Sequence, residues 1–292
     1  MALCGEVNCG ARTRLAPAPH YIGSVKPQRL LFSTLAASLF LHAADLKPET
    51  AAAFDRYVKL TEAAMQERST PQNFLWLDQH PKEKTLAWMS QSFVIPQETL
   101  DHGEKIDVPD GSVQHWLGVT YLETATLDRV RDMLLDYANY KNFFKQQVTD
   151  SKLVKREDQR FDASLRLHKK QITQFALNVN LTADYKILDP QHASIASRST
   201  GITVVPHPGK KDTAGKEPSA GAETGYLWRL NIYWRLEQTD VGVFVELETL
   251  SLLPASSTLR PGRYLNGFQS FPRELTGAFM QGLETAFPGL HK

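Results

Sequence analysis

Apolar and polar residues alternate along several successive segments in the second half of the chain. The clearest are 161–167, 175–182 and 226–237, in each of which every second side chain is apolar. A period of two places successive side chains on opposite faces of a β-strand, and strict alternation is typical of antiparallel strands with one face in solvent. The pattern predicts strands over 115–123, 148–157, 160–170, 172–188, 193–205, 226–237 and 242–253.

Helical patterns lie before, within and after this series of strands. Pro48 begins one helix, Thr126 caps a second, and Pro272 suits the first turn of a long amphipathic third. Gly277 and Gly282 lie within that last helix, where each costs about 1 kcal/mol relative to alanine, so we expect a close contact at both. The order of elements predicts an α+β domain in which a curved antiparallel sheet wraps around the C-terminal helix.

A twelve-residue apolar run from Leu30 to Leu41 follows two basic residues and precedes Ala43 and Ala44. This arrangement predicts a signal peptide over 25–44, cleaved after one of the two alanines, and therefore a periplasmic or secreted protein. A buried N-terminal helix is the alternative. At about 1.5 Å per residue the run covers roughly 18 Å, less than the ~30 Å hydrocarbon core, so no permanent membrane anchor is expected.

Residues 1–24 lack the features of a signal peptide, and we hypothesise that the native chain begins at Val25, so that 1–24 are not part of it. Both cysteines of the chain, Cys4 and Cys9, lie in this segment. Disulfides, thiolate catalysis and cysteine-based zinc sites are therefore excluded from the folded body. The sequence also lacks nucleotide-binding and metalloprotease motifs, and we expect no metal and no cofactor.

The rest of the chain divides by pattern into two parts. Residues 45–112 are expected to form an N-terminal helix and an irregular extension, and 113–292 the sheet–helix domain, interrupted at 206–224 by a flexible insertion rich in proline, glycine and lysine. An apolar content of 42% and a charged content of 22% are ordinary for a globular protein. The net charge of +1 provides no basic surface for nucleic acid.

Residues 125–148 resemble the signature of the START and polyketide cyclase/lipid transport superfamily, in which the first helix ends in an Asp-Tyr pair and runs into a Tyr-x-x-Phe segment. The matching residues are Asp136, Tyr137, Tyr140, Phe143 and Phe144. Lys145 stands where the family commonly has proline. The resemblance, which covers about 115–288, implies a helix-grip fold with an apolar cavity between the sheet and the last helix. Other segments look like exported bacterial members of the superfamily that have no demonstrated activity.

Strand parity and the helical stripe together predict which side chains line such a cavity. The candidates are Tyr137, Leu165, Phe175, Leu177, Val179, Tyr226, Trp228, Leu230, Ile232, Trp234, Leu275, Phe279 and Leu283. The same residues could equally form a packed core. If they form walls, each buried methylene of a ligand contributes about 0.8 kcal/mol, which favours a lipid, a quinone or a polyketide-like molecule.

Several polar residues are candidates for chemistry, each with a structural alternative. His115 could be an acid or base, or simply begin a strand. Arg198 could meet an anionic head group or face solvent, and Asp136 could act as a base or position a loop. Glu246 and Glu248 are two residues apart, as in some metal and glycosidase sites. Their strand position instead favours cross-strand ion pairs on the outer face, the arginines being Arg229 and Arg235.

Three functions are consistent with the sequence. The first is an exported protein that binds an apolar small molecule. The second is a cofactor-independent cyclase or hydrolase, which needs polar groups that converge inside the cavity. The third is an interaction module whose cavity is filled by its own side chains.

Overall fold

The computed structural model describes residues 46–89, 92–169, 172–206, 226–255 and 268–289. The predicted signal peptide and positions 207–224 of the predicted insertion lie outside the described residues, and so does the side chain of Phe175. None of the described helices has both the length and the hydropathy needed to cross a membrane.

Ten strands and five α-helices can be assigned among the described residues. The strands are β1 Phe93–Pro96, β2 Leu100–Asp101, β3 Glu104–Lys105, β4 Gly111–Glu123, β5 Val148–Glu157, β6 Arg160–Lys169, β7 Ile172–Asp189, β8 His192–Pro206, β9 Arg229–Gln238 and β10 Gly242–Pro254. The helices are α1 Pro48–Glu67, α2 Pro81–Trp88, α3 Leu127–Leu135, α4 Tyr140–Phe143 and α5 Phe271–Ala286, with a short 3₁₀-helix at Trp76–Gln79.

Eight of the strands form one sheet in the order β1-β4-β10-β9-β8-β7-β6-β5. Every neighbouring pair is antiparallel. From β5 to β10 the strands follow one another as hairpins, whereas β4 pairs with β10, far along the chain. The sheet is therefore completed only when its earliest long strand meets its last.

The inner face of the sheet, defined as the face that packs against α3, α4 and α5, carries the main apolar core. Helix α5 crosses this face, with Thr276 Oγ1 2.8 Å from Thr249 Oγ1 on β10. The rings of Trp234 on β9 and Phe279 on α5 are 5.9 Å apart. A single antiparallel sheet packed on a C-terminal helix is the helix-grip arrangement, and the α+β fold class predicted from the sequence is confirmed.

The outer face, defined as the opposite one, is covered by parts of 46–89 and 92–110 where it is formed by β4, β9 and β10. Helix α1 packs Phe54 and Tyr57 against Trp228 and Leu250, and the region of the 3₁₀-helix packs Leu77 and its neighbours against β4 and β10. Strand β10 is consequently buried along its whole length. The expectation of a solvent-exposed outer face is wrong for β9 and β10, because the N-terminal extension replaces the solvent there.

The two glycines of α5 differ in their surroundings. A Cβ added at Gly282 would clash with Phe144 Cδ1 and lie 2.9 Å from the Phe143 carbonyl oxygen, so α5 approaches α4 closely at this point. At Gly277 the nearest atom to such a Cβ is Val94 Cγ2, at 3.9 Å. The predicted close contact is thus present at Gly282 and absent, among the described residues, at Gly277.

Candidate functional site

Most of the predicted cavity residues belong to the apolar layer between the inner face and α5. These are Tyr137, Leu165, Leu177, Val179, Leu230, Ile232, Trp234, Leu275, Phe279 and Leu283. Tyr226 is partly buried at the edge of the same layer, with its ring 5.8 Å from that of Phe268. These residues come from distant parts of the chain. They meet in one layer because strand alternation and helical periodicity point each of them to the same side. Their role as ligand contacts stays a prediction.

Trp228 is a correction to the predicted cavity wall. Its side chain packs on the outer face with Phe54, Tyr57 and Tyr233. The alternation that places Leu230 and Trp234 on the inner face holds only within β9, which begins after Trp228. Leu227 takes the inner position at the entry to the strand and turns Trp228 to the other side.

Two tyrosines place hydroxyl groups within the inner layer. Tyr137 Oη lies 3.2 Å from Ser197 Oγ on β8, and Tyr140 Oη donates to the Leu134 carbonyl at 2.6 Å. Burial raises the pKa of Tyr137 to about 12 and that of Tyr140 well above its ordinary value. Both phenols therefore remain protonated near neutral pH, where they form hydrogen bonds rather than act as bases.

Polar groups also enter the layer near the first turns of α5. Lys169, on the inner face of β6 and only 4% exposed, donates to Glu274 Oε1 at 2.6 Å and to Ser270 Oγ at 2.7 Å. Ser251, on the inner face of β10, is fully buried, and its hydroxyl has no hydrogen-bond partner within the part of the chain that the structure describes. Trp116 Nε1 on β4 lies beneath the guanidinium of Arg273 and is likewise buried without a partner in the described ranges.

Sequence reasoning missed these groups, although parity offered a signal. Lys169 continues the odd-numbered, inward series of β6, in which 161, 163, 165 and 167 are apolar. Ser251 likewise interrupts the inward series of β10 between Leu247 and Leu253. A polar residue at an inward position of an apolar strand face marks either a buried hydrogen bond or a binding group.

His115 lies on the outer face and not in the sheet–helix layer, which corrects its prediction as a polar cavity residue. Its Nδ1 is 3.0 Å from Tyr57 Oη on α1, and its Nε2 is 2.7 Å from Glu248 Oε1 on β10. Arg68 completes the cluster at 3.6 Å from Glu248 Oε2. The odd parity of His115 on β4 turns it outward, and α1 then covers it, so the cluster ties the N-terminal extension to the sheet.

Glu246 is buried beneath the 3₁₀-helix. Its Oε2 and Oε1 accept hydrogen bonds from the backbone N–H groups of Trp76 and Leu77, both at 2.9 Å. Burial raises its pKa to about 7. The pKa of Glu248 is lowered: burial opposes this, but the hydrogen bond from His115 and nearby positive charge outweigh it.

The predicted solvent-exposed ion pairs between these glutamates and Arg229 or Arg235 are therefore wrong for the described residues. Arg235 Nε donates to the Phe74 carbonyl at 2.8 Å and its Nη1 to the Met65 carbonyl at 3.1 Å, and Arg229 Nη1 donates to the Trp228 carbonyl. The backbone of the covering segment supplies partners that the sheet alone would lack. No group of three or more metal-ligating side chains is found within the described ranges.

Arg198 is a second correction among the polar cavity candidates. Its Nε and Nη2 donate to Glu62 Oε1 on α1 at 2.9 and 2.6 Å. The side chain thus lies on the outer face, because its neighbour Ser197 takes the inner position.

Asp136 behaves as a loop-positioning residue: its carboxylate accepts a hydrogen bond from Asn139 Nδ2 at 2.7 Å after α3 ends.

Comparisons with known proteins give fold-level likenesses alone. Neither a protein-family model nor a curated protein matches the chain. A STAR-related lipid transfer protein from Xanthomonas axonopodis aligns at 16% identity over 62% of this chain and 95% of its own, with a TM-score of 0.40. The ZhuI aromatase/cyclase from Streptomyces sp. R1128 aligns at 12% identity over 60% and 93%, with a TM-score of 0.42. At such values neither likeness carries an argument about ligand or activity.

Proposed function

We propose that the protein is an exported, non-enzymatic binding protein for an apolar small molecule with one hydrogen-bonding group, held between the inner face and α5. The observation that carries the proposal is the fully buried hydroxyl of Ser251 on the inner face of β10, which has no hydrogen-bond partner among the described residues. A buried polar group without a partner costs about 1–3 kcal/mol. A ligand whose polar end reaches Ser251 recovers that cost, while its apolar body gains about 0.8 kcal/mol per buried methylene.

The placement of the ionisable residues favours binding over catalysis. His115 and Arg198, the two polar candidates for cavity chemistry, lie on the outer face with partners from α1. On the inner face, Lys169 and Glu274 are paired with each other. The buried tyrosines have raised pKa values that suit hydrogen-bond donors. A lipid, a quinone or a polyketide-like molecule matches these walls.

A filled core is the second candidate, and the packing of the inner layer favours it. Trp234 is 2% exposed, and Phe279 and Leu283 are fully buried. In that case the protein is an interaction module, and the sheet–helix layer serves stability alone. The two candidates differ in whether any apolar molecule stabilises the folded state.

Native mass spectrometry of the protein purified from its own host tests the first candidate, since a retained ligand gives a mass increment. In parallel, long-chain fatty acids, quinones and polyketide-like aromatics are titrated while the melting temperature is followed. A ligand that binds the folded state raises the melting temperature with concentration. If none of them changes it and no mass increment is found, the filled core is the correct description.

Ser251→Ala tests the hydrogen bond. The variant should be at least as stable as the wild type without ligand, because it removes an unpartnered buried hydroxyl, while ligand affinity falls by roughly fivefold, the equivalent of one hydrogen bond of about 1 kcal/mol. Ser197→Ala is the matched control: it removes a partnered hydroxyl of the same layer and should cost stability. Unchanged affinity in Ser251→Ala contradicts the assignment.

The proposed export is tested separately. When the protein is expressed from Val25 in a Gram-negative host, we expect a product outside the cytoplasm whose N-terminus is Ala44 or Asp45. Full-length protein retained in the cytoplasm overturns this part of the proposal.

A further inference from the structure

A groove of about 630 Å³ runs between α1 and the outer face of β7, β8 and β9, on the side of the sheet opposite the proposed ligand layer. Glu62 and Met65 of α1, together with Ser69 just after its end, form one wall, and Arg198 and Tyr233 belong to the strands beside it. A volume of this size accommodates a small organic molecule. All its lining residues lie within the described part of the chain.

The acidic side chains of this groove already have basic partners. Glu62 Oε1 accepts from Arg198 Nη2 at 2.6 Å and from Tyr233 Oη at 2.7 Å. Asp184 lies between two arginines, 3.6 Å from Arg160 Nη1 and 3.8 Å from Arg198 Nη1. Glu157, at the rim, pairs with Lys155, which does not line the groove. The negative charges are therefore matched locally.

Two of the cationic side chains that line the groove differ from the others. Lys186 is exposed at the rim, and Arg235 is 6% exposed at the floor. Neither forms an ion pair with an acidic side chain of the described residues; the guanidinium of Arg235 is held by the carbonyls of Met65 and Phe74 and by Ser69 Oγ at 3.4 Å. These bonds leave N–H groups of Arg235 available, since a guanidinium carries five.

We propose that this groove is a second, separate binding site that takes a small organic anion bearing carboxylate groups. One carboxylate pairs with Lys186 at the rim, and another accepts hydrogen bonds from Arg235 at the floor. Arginine presents paired N–H groups that match a carboxylate, and a partly buried cation gains more from such a partner than an exposed one. The inference is independent of the apolar ligand, because the sheet separates the two sites.

Calorimetric titration of the purified protein with succinate at low ionic strength tests the proposal. Its matched probe is 1,4-diaminobutane, which has the same four-carbon length and the opposite charge. We expect succinate to bind, the diamine not to bind, and the succinate affinity to fall as salt is added. Absence of succinate binding at low ionic strength, or diamine binding of comparable affinity, overturns the proposal.

A pair of lysine variants locates the site. Lys186→Glu should weaken succinate binding by roughly fivefold or more, because it replaces an attractive charge at the rim by a repulsive one. Lys152→Glu changes the net charge equally at an exposed position of β5 outside the groove and should leave the affinity unchanged. Both positions are exposed, so both variants should fold. Equal effects of the two substitutions, or none from Lys186→Glu, rule out this groove.

Discussion

Glu246 and Glu248 are two residues apart on one strand face, yet their environments push their pKa values in opposite directions. Glu248 has His115 and Arg68 as charged or polar partners, whereas Glu246 relies on two backbone N–H groups. Sequence parity correctly places both on the outer face. It does not predict their burial, because the covering groups come from residues 68–77, far away in the sequence.

Glu246→Gln should remove part of the pH dependence of stability. Burial raises the pKa of Glu246 from 4.5 to about 7. The higher pKa belongs to the folded state, so the stability linked to this group is fully present below the unfolded pKa and is lost as the pH rises through the folded pKa. The free energy of unfolding of the wild type should therefore fall by about 3 kcal/mol as Glu246 ionises.

Chemical denaturation of both proteins between pH ~4.5 and ~8 measures the effect. The free energy of unfolding of Glu246→Gln, relative to the wild type, should increase across this range, because glutamine does not ionise. A difference that stays constant with pH would show that Glu246 titrates normally in the folded protein.

At the scale of elements, local periodicity predicts well what neighbouring residues determine. The long strands and α5 appear close to their predicted positions, and the alternation within β6 and β9 correctly identifies Leu165 and Trp234 as inward. The prediction that Trp228 lies on the inner face is wrong because the alternation ends where the strand ends. The sequence did not predict that the outer face is covered, because this depends on contacts between α1 and strands more than a hundred residues away. No local pattern exists for such contacts.

The glycines of α5 give an element-scale prediction with an internal control. Gly282→Ala should destabilise the protein, because the new methyl group clashes with Phe144 and overpacking typically costs about 1–3 kcal/mol. Gly277→Ala meets only Val94 at 3.9 Å and should gain up to about 1 kcal/mol from helix propensity. Thermal denaturation of both variants measures the difference. Equal behaviour of the two would mean that α5 is not closely packed on α4.

For the whole molecule, the N-terminal extension is part of the folded unit. Residues 46–110 cover Leu250 and Leu252 and provide partners for Glu246, His115 and Arg235. Without this segment the outer face would expose apolar side chains together with charges that are now partly buried. Several charged groups would lose their hydrogen-bond partners at the same time.

A variant that consists of residues 111–292 should therefore fail to fold cooperatively. Circular dichroism and gel filtration should reveal an aggregated or loosely packed species in place of a monodisperse protein with a sharp thermal transition. A truncated variant that melts cooperatively within a few degrees of the full chain would show that the extension is accessory and that 113–292 is an independent domain.

The pairing of β4 with β10 also determines when the chain can fold. The hydrogen bond from Trp76 to Glu246 spans 170 residues, and β4 finds its long partner only after β10 has been synthesised. Until then β5 to β9 can pair with one another, but β4 has no long partner. Long-range pairing of this kind makes folding slow. The sheet of a nascent chain therefore stays incomplete until most of the chain has been translated, and its completion is a late step of folding.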